Sequence, residues 1–102
     1  MVKLNSKYIS ILTKIFDRYC KNAEIWAYGS RVDGDCHGGS DLDIVVVDFN
    51  DNGKNLCELK QLINDSDIPI LVDISEFNSL PPSFQNEIRK NHEVFYKSDI
   101  LG

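Results

Sequence analysis

The 102-residue chain has no excess of positive charge to offset its acids: 11 lysines and arginines stand against 16 aspartates and glutamates, a formal net charge of −5. Without a basic stripe, a long nucleic acid is a poor partner, because neutralisation of backbone phosphates by Lys and Arg dominates that binding. No segment approaches the roughly 20 apolar residues needed to span a bilayer. Lys3 and Lys7 precede no apolar run with a small-residue cleavage site. A cytoplasmic protein with no membrane partner is the expectation. Cysteine is sparse and C-x-x-C spacing is missing: Cys20, Cys36 and Cys57 are an odd set, which argues against a disulfide framework or a zinc site and for reduced thiols. The neighbours Cys36 and His37 form no metal pair, since adjacent residues seldom converge on one ion and no second pair exists. Low-complexity tracts and internal repeats are also lacking. What remains is a composition close to the globular average, with 42% hydrophobic and 26% charged residues, and a single domain over residues 1–102. A chain of this length buries about 60–70% of the surface its unfolded form exposes.

The apolar pattern divides that domain into alternating elements. Tyr8, Ile9, Leu12, Ile15, Phe16 and Tyr19 recur at helical spacing, so residues 6–20 read as an amphipathic helix. Residues 25–29 and 42–48 are apolar or β-branched and read as strands. Between them Ser30 to Asp33 opens a short helical turn, with Ser30 as N-cap and Asp33 as its reciprocal partner, ended early by Gly34, Gly38 and Gly39. Asn50 to Gly53 form a turn, Leu56, Leu59, Leu62 and Ile63 mark a helix over 54–64, and residues 68–74 read as a strand that tolerates Pro69 near its start. Pro81-Pro82 lead into a helix over 82–91, and residues 93–97 add an edge strand. The order αβαβαβα with a C-terminal edge strand predicts an α+β fold, a mixed sheet with helices packed on it.

The densest chemistry lies between the first two strands. Tyr28-Gly29-Ser30-Arg31 ends the first, and Ser40-Asp41-Leu42-Asp43 starts the second. Side chains at i and i+2 of a strand share a face about 6.6–6.8 Å apart. Asp41 and Asp43 therefore point one way, and Leu42 and Ile44 point into the core. Two such acids suit magnesium, a hard ion that takes oxygen ligands from one or two carboxylates and completes its shell with substrate phosphates. Gly29 and Ser30 would let the backbone approach a triphosphate, Arg31 could add a charge-assisted contact, and Ser40 could touch phosphate or orient Asp41. The plainer alternatives are an ordinary strand-to-helix turn, a solvated arginine and a hydroxyl bonded to its own backbone. Trp26 and Tyr28 read as core or sheet-face aromatics, Asp48 and Asp51 as turn residues, and His37 and His92 carry no specific signal.

Gly29-Ser30, Arg31, Gly34, Ser40 and Asp41-x-Asp43 resemble the signature of the nucleotidyltransferase superfamily related to DNA polymerase β, and their spacing resembles its minimal branch. The resemblance runs along most of the chain and includes the tail from Leu80-Pro81-Pro82 to Tyr96. It implies a third carboxylate on a later strand, which Asp73 can supply. In an apolar strand such a carboxylate needs a polar site to receive it, because burial without a partner costs several kcal/mol; the plainer alternative is an Asp near the strand's end that simply faces solvent. The resemblance further implies attack of a hydroxyl on the α-phosphate of ATP, with the triphosphate on Gly29 and Ser30. Two magnesium ions would be held by Asp41, Asp43 and Asp73, with Asp73 helping to deprotonate the acceptor. Minimal members act as antitoxins that adenylylate a tyrosine on a small helical HEPN-domain protein. An adjacently encoded HEPN partner, in a homo- or hetero-oligomer, is thus the expected acceptor. Two alternatives stand beside this: a non-catalytic module that neutralises its partner by contact, and a transferase acting on a small molecule such as an aminoglycoside.

Overall fold

The computed structural model describes residues 5–29, 42–51 and 53–97. The first amphipathic stretch forms α1 (Ser6–Tyr19), which buries Leu12 and Phe16, one turn apart on its apolar stripe. The Asn5 side chain accepts a hydrogen bond from the Lys7 backbone N–H at 2.9 Å and so satisfies one of the donors a helix start leaves open. Strands β1 (Glu24–Tyr28) and β2 (Leu42–Asp48) follow, then α2 (Leu56–Asn64), β3 (Val72–Glu76), a single 3₁₀ turn (Phe77–Ser79), α3 (Pro82–Lys90) and β4 (Glu93–Lys97).

The four strands form one mixed sheet in the order β3-β2-β1-β4. β1 is antiparallel to β2 and β4, and β2 is parallel to β3 across the α2 crossover. The α+β architecture expected from the sequence is thus the observed one. Both faces of the central strands are covered. Ile25, Ala27, Leu42, Ile44 and Val46 pack with Leu12 and Phe16 of α1 and Leu59 and Ile63 of α2. On the other face Val45, Phe77 and Ile88 form a smaller core, with Trp26 and Tyr28 against it. The start of α2 is tied to α1: Asn55 accepts from the Glu58 backbone N–H at 2.9 Å, its own N–H donates to the Tyr19 hydroxyl at 3.0 Å, and that hydroxyl donates to Glu58 at 3.0 Å.

Two boundaries differ from the sequence reading. The helix expected over 54–64 begins at Leu56, because Asn55 is its cap. The strand expected over 68–74 runs instead from Val72 to Glu76. Ile68 and Ile70 do pack against the core, but from an irregular approach that contains Pro69 and a left-handed Asp67 at φ 62°. Asp73 therefore stands near the beginning of its strand rather than near its end. It is exposed, so it does not meet the burial cost expected for a carboxylate in an apolar strand. The short helix expected at Ser30–Asp33 lies outside the described residues.

Candidate active site

The sheet builds the site by register. Tyr28, the last residue of β1, pairs with Asp43, the second of β2, and Asp43 pairs with Asp73, the second of β3. Paired residues on neighbouring strands project to the same face, and strands lie about 4.7–4.9 Å apart. Tyr28, Asp43 and Asp73 therefore form a row across one end of the sheet, on the face that carries the smaller core. Asp43 is half-buried and Asp73 is open to solvent.

Gly29 closes the row. It follows Tyr28 directly and has φ +80°, a conformation that L side chains rarely adopt. A Cβ placed there would come within 2.8 Å of Asp43 Oδ2. The turn after β1 thus lies against the Asp43 carboxylate with no room for a side chain, and only glycine meets both conditions. Gly29→Ala should cost roughly 1–2 kcal/mol for the left-handed backbone alone, with more from displacing Asp43. A lowered urea midpoint together with weakened nucleotide binding is the expected result. A midpoint equal to wild type would contradict the close approach.

The acids also act on their neighbour. The Tyr28 phenol is pushed up to about 12, first by burial and then by the negative charges of Asp43 and Asp73. Because it is harder to ionise in the folded chain than in the unfolded one, where 10.0 applies, its stabilising contribution is complete below pH 10 and is lost as pH rises through about 12. In metal-free buffer the wild-type chain should therefore lose stability across that alkaline interval more steeply than Tyr28→Phe, read as urea midpoints against pH. Parallel curves would show that the phenol is not held above 10.0 in the folded chain.

Of the residues the sequence singles out, Gly29, Asp43 and Asp73 come together. Ser30, Arg31, Gly34, Ser40 and Asp41 lie outside the described residues. Among the described residues no group of three or more His, Cys, Asp or Glu side chains gathers as a metal site. The described pair, Asp43 and Asp73, nevertheless fits magnesium: both are hard oxygen donors, both are reachable, and they sit beside a turn that a Cβ would block. Asp48 and Asp51 lie at the far end of β2, where they accept from the backbone N–H groups of Asn50 at 2.8 Å and Gly53 at 3.0 Å. They are turn residues. Cys20 and Cys57 are free thiols, and burial pushes Cys20 up to about 11, which leaves it an inert core thiol. The sequence reading missed Tyr28 as a neighbour of the acids, although its place one residue before Gly29 on an alternating strand was a usable signal. No described helix is long and apolar enough to cross a membrane.

In class this is an α+β transferase fold, with its acids at the strand ends beside a glycine turn. The chain belongs to the polymerase beta nucleotidyltransferase family, whose sequence model matches residues 11–101. It is also similar to a Haemophilus influenzae protein named as the probable protein adenylyltransferase MntA, with 28% identity over 101 residues that cover 94% of this chain and 85% of that protein.

Proposed function

We propose that this nucleotidyltransferase moves AMP from ATP onto a protein hydroxyl, a tyrosine of an adjacently encoded HEPN-domain partner, and that it acts as the antitoxin of that pair. The observation that carries the reading is the register that sets Asp43 beside Asp73 and beside Gly29. The likeness to a protein named as an adenylyltransferase supports the choice of donor and of a protein acceptor.

In this reading Gly29 and Ser30 seat the triphosphate, Arg31 offsets its charge, and Ser40 orients Asp41. Asp41, Asp43 and Asp73 would hold two magnesium ions, which when bound supply charge neutralisation to the attacking and departing oxygens. Asp73, exposed on the edge strand β3, is the acid that an incoming acceptor reaches. Its carboxylate takes the acceptor proton as the hydroxyl oxygen bonds to the α-phosphorus. The bond from that phosphorus to the bridging oxygen breaks, and pyrophosphate leaves with the electron pair.

The test is the intact mass of the neighbouring gene product after incubation with this protein, ATP and magnesium. One or more added adenylyl groups, mapped to tyrosine, is the expected result. An unmodified partner that is nonetheless bound and neutralised would overturn the transfer reading and leave contact alone.

A further inference from the structure

Beyond the acid row, on the side away from Asp73, lies a hollow of about 170 Å³ bounded by Tyr28, Gly29, Phe84, Glu87, Ile88 and Asn91. It is too small for a whole nucleotide, since pockets for drug-sized ligands measure about 300–1,000 Å³. It offers space for one ring system. Two aromatic side chains wall it: Phe84 stands edge-on to Tyr28, with ring centroids 5.6 Å apart and an interplanar angle of 83°. Ile88, one turn further along α3, is fully buried, whereas Phe84 keeps 40% of its surface exposed. An aromatic ring left open on the sheet-facing side of a helix is surface that a flat apolar ligand can cover.

The order across the sheet tells which ligand. Reading from the edge strand inward, the row runs Asp73, Asp43, Tyr28 and then the hollow. Asp73 is on the acceptor side of the proposed reaction, and Gly29, where the donor's phosphates would rest, also lines the hollow. The hollow is therefore on the donor side, at the opposite end of the row from the acceptor. Its rim carries the carboxylate of Glu87, which can only accept when ionised and suits a base with an exocyclic amine.

Resting on the proposed nucleotidyl transfer, we infer that the hollow between Tyr28 and α3 seats the nucleobase of the donor, with Phe84 as its stacking platform and Glu87 selecting a base that carries an exocyclic amine. The experiment is calorimetry on the full chain with magnesium, titrating ATP, UTP and inorganic tripolyphosphate into wild type, Phe84→Ala, Phe84→Trp and Glu87→Gln. Base stacking predicts that Phe84→Ala weakens ATP roughly 5- to 150-fold while tripolyphosphate binds as before, and that Phe84→Trp restores ATP. Glu87→Gln should reduce the preference for ATP over UTP without changing the fold, since Glu87 is exposed. Unchanged ATP affinity in Phe84→Ala, or equal losses for ATP and tripolyphosphate, would overturn the base seat while leaving the transfer reading intact. An unchanged ATP-to-UTP ratio in Glu87→Gln overturns its selecting role, and if Phe84→Ala fails to fold, Phe84→Leu, which keeps apolar bulk without the ring, makes the same comparison between ATP and tripolyphosphate. Wild type that binds no nucleotide at all would remove the transfer reading itself.

Discussion

If Asp73 is the proposed base, Asp73→Asn should leave the chain folded and able to bind the proposed partner, yet slow nucleotide transfer by roughly 10²- to 10⁴-fold, the contribution of a positioned base. The substitution keeps the size of the side chain and most of its hydrogen-bonding capacity, and removes only charge and basicity. Because Asp73 is exposed near the start of an edge strand, no buried group loses a partner and stability should barely move. ATP binding should largely persist, since Gly29 and Asp43 are intact. Protection of cells should fail wherever it depends on modification. The measurements are nucleotide incorporation into the partner, a pull-down and a growth assay at native expression. A variant that modifies nothing but still protects cells would reject modification as the means of protection, in favour of neutralisation by contact.

The strength of that test comes from what the sheet adds to the sequence. Asp41 and Asp43 can be read as a same-face pair from the period of two along a strand, with no knowledge of neighbours. Asp73 is 30 residues further on, and only the parallel pairing of β2 with β3 makes it the direct neighbour of Asp43. A strand, a helix and a strand in succession imply such a crossover, so the adjacency was legible in kind. Its register was not. The apolar run Ile68 to Leu71 drew the expected strand too early, because apolar residues that merely close one end of the core look the same in sequence as residues of a ladder. Ser75 and Glu76 lie in the strand despite their polarity, since β3 is an edge strand with a partly exposed face.

Tyr28 and Phe84 show a different limit. They are 56 residues apart, and each taken alone is an aromatic of an ordinary strand or helix. What distinguishes them is the meeting of the end of β1 with the first turns of α3, a tertiary fact that periodicity does not encode. Gly29 was legible as a turn glycine. That its missing Cβ makes room for the Asp43 carboxylate follows only from the register of β1 against β2.

The paired change Asp41→Asn with Asp43→Asn should be the most damaging to activity and harmless to the fold. Wild type should bind ATP more tightly when magnesium is added, and the double variant should lose that dependence. If charge stabilisation by bound metal contributes several kcal/mol, transfer should fall roughly 10³-fold or more. Folding should survive, because Asp43 and Asp73 are like charges side by side and neutralising one relieves repulsion in the metal-free chain. Tyr28 gives a second readout that needs neither ATP nor metal. Part of the push that holds its phenol at about 12 comes from Asp43, so the double variant should ionise Tyr28 at lower pH, though still above 10.0 because burial persists. Ultraviolet titration of the phenol measures this directly. A lowered phenol titration with undiminished, magnesium-dependent ATP binding would show that Asp43 lies where the sheet puts it but does not hold the metal. Loss of both together is the outcome expected if the row of acids is the metal site.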